Sequence, residues 1–200
     1  MPFFTPSVTT EADAAFTFLT QQCNQLKLTA LGLTDEQARS TPTASGLSIT
    51  GLVVHAAQVV NNWLIQVKEP TREIAEDDYR PVNEKMGLTA MFDGSALPDL
   101  DIDEAVAIFD KVIDGIEEAR AAVAEAGTDL GTEVPMPYNP WMPDDFVMSV
   151  RWILMHLNTE IARHAGHADI IRESIDGAIA YQLNAQADGE PWPPEGIDWT

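Results

Sequence analysis

A chain of 200 residues with 45% hydrophobic side chains is long enough to enclose one substantial core. Its 32 Asp and Glu against 11 Lys and Arg leave a net charge of -21, which repels phosphate backbones and anionic lipid and so argues against nucleic acid and membrane as partners. The single cysteine, Cys23, excludes an intramolecular disulfide framework and any zinc site built from several thiolates, and no run of about 18 apolar residues offers a membrane span.

Taken in order, the chain opens with MPFFTPSVTTEADAAF, which lacks the basic and apolar regions of a secretion signal, so a cytoplasmic location is expected. Thr9 or Thr10 can cap a first helix running to about Leu31, with Phe16, Leu19, Cys23, Leu26 and Ala30 on its apolar face and Gly32 as its stop. On that face Cys23 reads as a buried structural thiol. The connector LTDEQARSTPTASG winds across the surface, with a turn of helix at 35–39. Ser48 or Thr50 then opens a second helix on which Leu52, His55, Val59 and Trp63 recur at three- and four-residue spacing, placing His55 among apolar neighbours.

From Lys68 to Leu100 the pattern is mixed, acidic and proline-containing, and a weakly structured crossover is expected there. Such a connection lets the second and third helices of a four-helix bundle run parallel. Asp101 with Glu104 forms a capping box for the third helix, whose inner face is Val106, Phe109, Ile113 and Ile116 and which Gly127 ends. In the following loop Pro135, Tyr138, Trp141 and Met142 can either wall a pocket or pin the loop to the surface. Ser149 caps a long fourth helix that ends at Gly177. The remainder, 178–200, is expected as a C-terminal strap on a single domain spanning 1–200, whose core is about 9–177.

The fourth helix carries three of the four histidines. At 100° per residue His156, Glu160, His164 and His167 fall within about 80° of one another, together with Ile153, Leu157, Ile171 and Ile175. Arg151, Asn158, Asp169, Arg172 and Asp176 occupy the opposite face, so the titratable row points inward. Buried carboxylate and imidazole need partners, and a metal ion satisfies both. His156 and His164 are about 12 Å apart along the axis, too far to share one ion. Glu160 with His164 can converge, as can His164 with His167, and His55 from the second helix would complete a three-ligand site.

The segments RWILMHLNTEIARHAGHADIIRESIDG and GLTDEQARSTPTASGLSITGLVVHAAQVVNNW resemble the DinB superfamily, most closely its actinobacterial branch that includes the mini-circle proteins. More distantly the chain is similar to the metal-binding domain of mycothiol-dependent maleylpyruvate isomerase. The resemblance implies an all-α, DinB-like four-helix bundle with a long crossover between helices 2 and 3. It also implies a metal site made of one histidine from helix two and an i, i+4 pair from helix four, which here are His55, Glu160 and His164. His167 falls where many members carry glutamine, and so stands beside the metal as a catalytic hydrogen-bonding or proton-carrying group.

The activity so implied is a divalent-metal-dependent thiol transferase acting on small electrophiles, in detoxification or stress tolerance. The metal expected is zinc, with nickel and iron as options, and the cosubstrate is a low-molecular-weight thiol such as mycothiol. A non-catalytic metal-binding protein and a zinc-dependent hydrolase are the rival readings. The expected partners are the electrophile and the thiol, and a homodimer is left open.

Overall fold

The structure, a computed structural model, describes residues 3–89, 97–135, 143 and 145–196, apart from the side chain of Glu76. Every regular element among them is helical: α1 (Glu11–Leu28), α2 (Asp35–Arg39), α3 (Ile49–Lys68), α4 (Glu76–Met86), α5 (Ile102–Ala126), α6 (Val150–Asp176) and α7 (Ala180–Asp188). The starts follow from capping chemistry. Thr10, Ser48, Asp101 and Ser149 each accept a hydrogen bond from the backbone N–H three residues on, satisfying a donor that the helix itself leaves free.

The long helices α1, α6, α3 and α5 form a ring of neighbours in that order. Asn158 Nδ2 donates to Ala15 O and Arg172 Nη1 to Thr29 O, both pairs separated by 143 residues, so α1 and α6 run parallel. His55 lies opposite Glu160 and His164 while Trp63 lies opposite Trp152 and His156, so α3 opposes α6. Lys27–Asp110 and Arg120–Asp13 likewise make α5 antiparallel to α1. It follows that α3 and α5 are parallel, as a bundle with a long crossover requires. At the centre Phe16, Leu19, Leu26, Phe109, Ile116, Ile153, Leu154, Leu157 and Ile161 are all fully buried. Each such side chain contributes about 1.5–3 kcal/mol by leaving water.

Two expectations are corrected. The crossover holds a helix, α4, in a stretch where Pro81 and a run of charged residues obscure the short apolar spacing of Tyr79, Val82 and Met86. It is held in place by tertiary amide contacts: Asn83 Nδ2 donates to Asn62 Oδ1 at 2.7 Å, and Gln58 Nε2 donates to Thr89 O at 2.8 Å. The segment expected as a strap from 178 begins with the helix α7, because Leu183 and Ala178 cover Leu28, and Gln25 and Asn184 exchange two amide hydrogen bonds. No helix among the described residues is long and apolar enough to cross a membrane.

A third correction concerns the charged face of α6, part of which, Asn158 and Arg172, is docked on α1 rather than turned to water. Arg172 is buried and donates to Thr29 O and Leu31 O at 2.8 Å each, serving carbonyls that α1 leaves unpaired at its end, while Asp176 accepts from the same guanidinium. Arg172→Met should therefore destabilise the fold by about 2–4 kcal/mol, read as a lower urea midpoint. Asp169 shares this face, and burial, with a smaller push from Glu173, raises its carboxyl from 3.8 to about 6. The native state thus favours the neutral acid, and stability falls as pH rises through about 6. Asp169→Asn should raise the melting temperature above that pH, and the gain should vanish below about pH 4.

Candidate metal centre

The antiparallel packing of α3 on α6 sets the register that brings His55 level with the Glu160–His164 turn. A helix repeats a direction every three to four residues, so Glu160 and His164 project side by side from α6. His164 Nε2 lies 3.1 Å from Glu160 Oε1, and His55 Nε2 lies 3.6 Å from the same oxygen. The two imidazole rings stand edge to face with centroids 4.9 Å apart. One ligand atom from each of the three residues falls within 4.8 Å of the others. The side chains are 35%, 26% and 15% exposed for His55, Glu160 and His164, so the trio occupies the edge of the α3–α6 seam with one side toward solvent.

The electrostatics favour the forms that coordinate a cation. Burial pushes the Glu160 carboxyl up, but hydrogen bonding to His164 and His55 outweighs it and holds the carboxyl below its ordinary value. Burial lowers His164, against the opposing pull of Glu160. At neutral pH the pair is therefore carboxylate with neutral imidazole, as metal ligation demands. Two imidazole nitrogens and one carboxylate oxygen, converging and partly open, fit a divalent ion that keeps a free coordination position.

His167 and His156 stand apart from this trio. The His167 ring lies 5.8 Å from that of His164, and its buried Nδ1 has no hydrogen-bond partner. His156 lies on Trp152, the rings 4.9 Å apart and 10° from parallel, and meets Trp63 edge-on at 5.7 Å. Burial lowers its pKa against the field of Glu160, favouring the neutral ring. Phe146 adds an edge contact to Trp152 at 5.2 Å.

Sequence reasoning missed Trp152 and Phe146 and read Trp63 only as a core residue. The clue was available: Trp152 precedes His156 by one turn, and Trp63 follows His55 by two turns and a little. The pocket wall was sought instead at Tyr138, Trp141 and Met142, which lie outside the described residues. Pro135 of that loop is exposed, and its carbonyl accepts from Gln66 Nε2 at 3.5 Å.

Residues 14–177 match the family described as Mycothiol-S-transferase. A solved structure described as the conserved protein of locus from Enterococcus faecalis is 14% identical over 86% of this chain and 100% of that one, with a TM-score of 0.53. At that identity the likeness concerns the fold alone. No curated protein matches the chain.

Alanine at His55, Glu160 or His164 should each sharply lower the zinc retained after dialysis, as measured by elemental analysis. His156→Ala should keep the wild-type content, because its ring is engaged with Trp152 and Trp63. Full occupancy in His55→Ala would remove that residue from the ligand set.

Proposed function

This chain belongs to the mycothiol-S-transferase family, within the DinB/YfiT-like superfamily, and from that premise we propose that it transfers a thiol such as mycothiol to a small electrophile at a divalent-metal centre. The observation that carries this reading is the convergence of His55, Glu160 and His164 at a half-open seam. Zinc suits the donor set best, and nickel or iron would also be accepted. A divalent ion held there would lower the pKa of a thiol within its reach, making sulfur nucleophilic at neutral pH.

The residues of the chain do the rest. His55 and His164 are fixed by two different helices, so their nitrogens meet without reorganisation of the backbone. The carboxylate of Glu160 supplies the negative charge that a cation needs at this edge of the core. In the reaction a sulfur–carbon bond forms, the bond from carbon to the leaving group breaks with its electron pair, and the thiol proton must depart. His167 is the group assigned to that proton, since it stands one turn beyond His164 with an unpartnered Nδ1. The working unit would be a single domain spanning 1–200 with its core at 9–177, acting in the cytoplasm.

The test is consumption of mycothiol in the presence of iodoacetamide by the zinc-loaded protein. Free thiol should disappear well above the uncatalysed rate, the excess should be lost on chelation and in Glu160→Ala, and zinc should restore it to the chelated wild type. Retained zinc without acceleration would leave a non-catalytic metal-binding protein. Turnover of an ester or amide without any thiol would make the site a hydrolase.

A further inference from the structure

A cavity of about 280 Å³ opens at the start of α3, built from side chains that take no part in the metal centre. Gly51 forms part of its wall. Because Gly51 precedes His55 by four residues, the two positions share a face of α3 and lie about 6 Å apart along its axis. A glycine inside a helix costs stability against alanine. Here the missing side chain leaves space free on the cavity wall, since a Cβ at this position would stand 4.0 Å from Leu97 Cδ1 and 3.1 Å from Ser48 Oγ.

The rest of the lining is divided in character. Val54, Leu97, Pro98 and Leu100 offer apolar surface, whereas Arg39 and Asp99 offer a charged pair in which Arg39 Nη1 donates to Asp99 Oδ1 at 2.7 Å. Among the described residues neither member of that pair is used up. A guanidinium has five N–H donors. That of Arg39 gives one to Asp35, one to Asp99 and one to Leu100 O, which leaves two. The Asp99 side chain is 89% exposed and only its Oδ1 is engaged, so Oδ2 is open to a donor. A spare donor and a spare acceptor held side by side match two neighbouring hydroxyl groups, each of which both gives and takes a hydrogen bond. An anion would instead meet Asp35 and Asp99 in a chain of net charge -21, and a wholly apolar body would strip water from the ion pair and replace none of its hydrogen bonds.

We infer that this cavity holds the body of the thiol cosubstrate, and that this body is a neutral ring carrying vicinal hydroxyls, bound through its diol by Arg39 and Asp99 and through its C–H face by Leu97, Pro98 and Leu100. The word cosubstrate rests on the thiol-transferase reading, whereas the binding of the polyol does not. At about 280 Å³ the cavity stands just below the usual range for small-molecule sites, roughly 300–1,000 Å³, and so takes a single ring. A ring seated against Gly51 has one helical turn to span to His55, a distance that a short sulfur-bearing arm covers.

Titration of the full-length, zinc-loaded protein with myo-inositol, followed in amide NMR spectra, tests this directly. The Gly51 amide and the Arg39 side-chain Nε–H should shift saturably, and cyclohexanol, with its single hydroxyl, should bind about tenfold or more weakly, the difference that a hydrogen bond to a charged group supplies. Asp99→Ala removes the acceptor and Gly51→Leu fills the cavity, so each should weaken inositol by about fivefold or more. Saturating mycothiol should displace inositol. Shifts that do not saturate, equal affinity for cyclohexanol, wild-type affinity in Asp99→Ala, or simultaneous binding of inositol and mycothiol would each overturn the subsite. Circular dichroism checks that both variants fold, and if Gly51→Leu does not, the exposed position of Asp99 keeps the other variant decisive. Because these readouts need no turnover, a protein that passes them but consumes no mycothiol would lose the proposed reaction and keep the subsite, and one that consumes mycothiol without binding inositol would do the reverse.

Discussion

The carboxylate of Glu160, shared between His55 and His164 at the edge of a packed helix pair, is the constraint on which the architecture depends. A single oxygen faces two imidazole nitrogens at 3.1 and 3.6 Å, an arrangement that tolerates little drift in the register of α3 on α6. That register is antiparallel, and the parallel docking of α6 on α1 fixes the other side of the same helix. With α3 and α5 running parallel, the chain must cross the length of the bundle between them, so the long 69–101 connection follows from the geometry of the site as much as from the core.

Polar groups are spent along α3 in two ways. Gln58, Asn61 and Asn62 hold the crossover: Gln58 reaches Thr89, and Asn61 and Asn62 bracket Asn83 of α4. This explains how a helix with an internal proline and little apolar surface is placed at all. The bookkeeping is incomplete, however, since Asn62 Nδ2, Gln66 Oε1, His164 Nδ1 and His167 Nδ1 are buried without partners. With Thr50 Oγ1 these belong to α3 or α6, the helices that make the seam, and Thr20 Oγ1 of α1 is likewise buried without a partner.

How legible this was in the sequence depended on whether the deciding interaction was local. Caps such as Ser149, the box of Asp101 with Glu104, and the i, i+4 pair of Glu160 with His164 are written in neighbouring residues and were read correctly. The helix α4 was not, because its support comes from amides on α3 some twenty residues away. The face of α6 bearing Asn158, Asp169 and Arg172 was taken for a wet one because polarity was equated with exposure. Asn158 and Arg172 instead serve backbone carbonyls of α1 and of the turn that follows it, a partner that periodicity on α6 alone cannot reveal. The histidine row was taken for a core-facing one, whereas His55 and Glu160 remain substantially open.

The distribution of positive charge completes the physical picture of the site. The chain has 11 basic residues, and many of those described are already committed: Arg172 to Asp176, Arg151 to Glu11, Arg120 to Asp13, Arg39 to Asp35 and Asp99, and Lys27 to Asp110. Among the described residues the charged partners of the Glu160 carboxylate are histidines alone, and lowered protonation leaves His164 neutral there. The carboxylate therefore stands at the seam without a permanent cation, in a protein whose long-range field is strongly negative. A divalent ion would be drawn by both, and its own charge would be only partly offset by one carboxylate. The surplus would favour a ligand that can become negative on contact, as a thiol does on losing its proton, over one that arrives as an anion and must cross the repulsive field first.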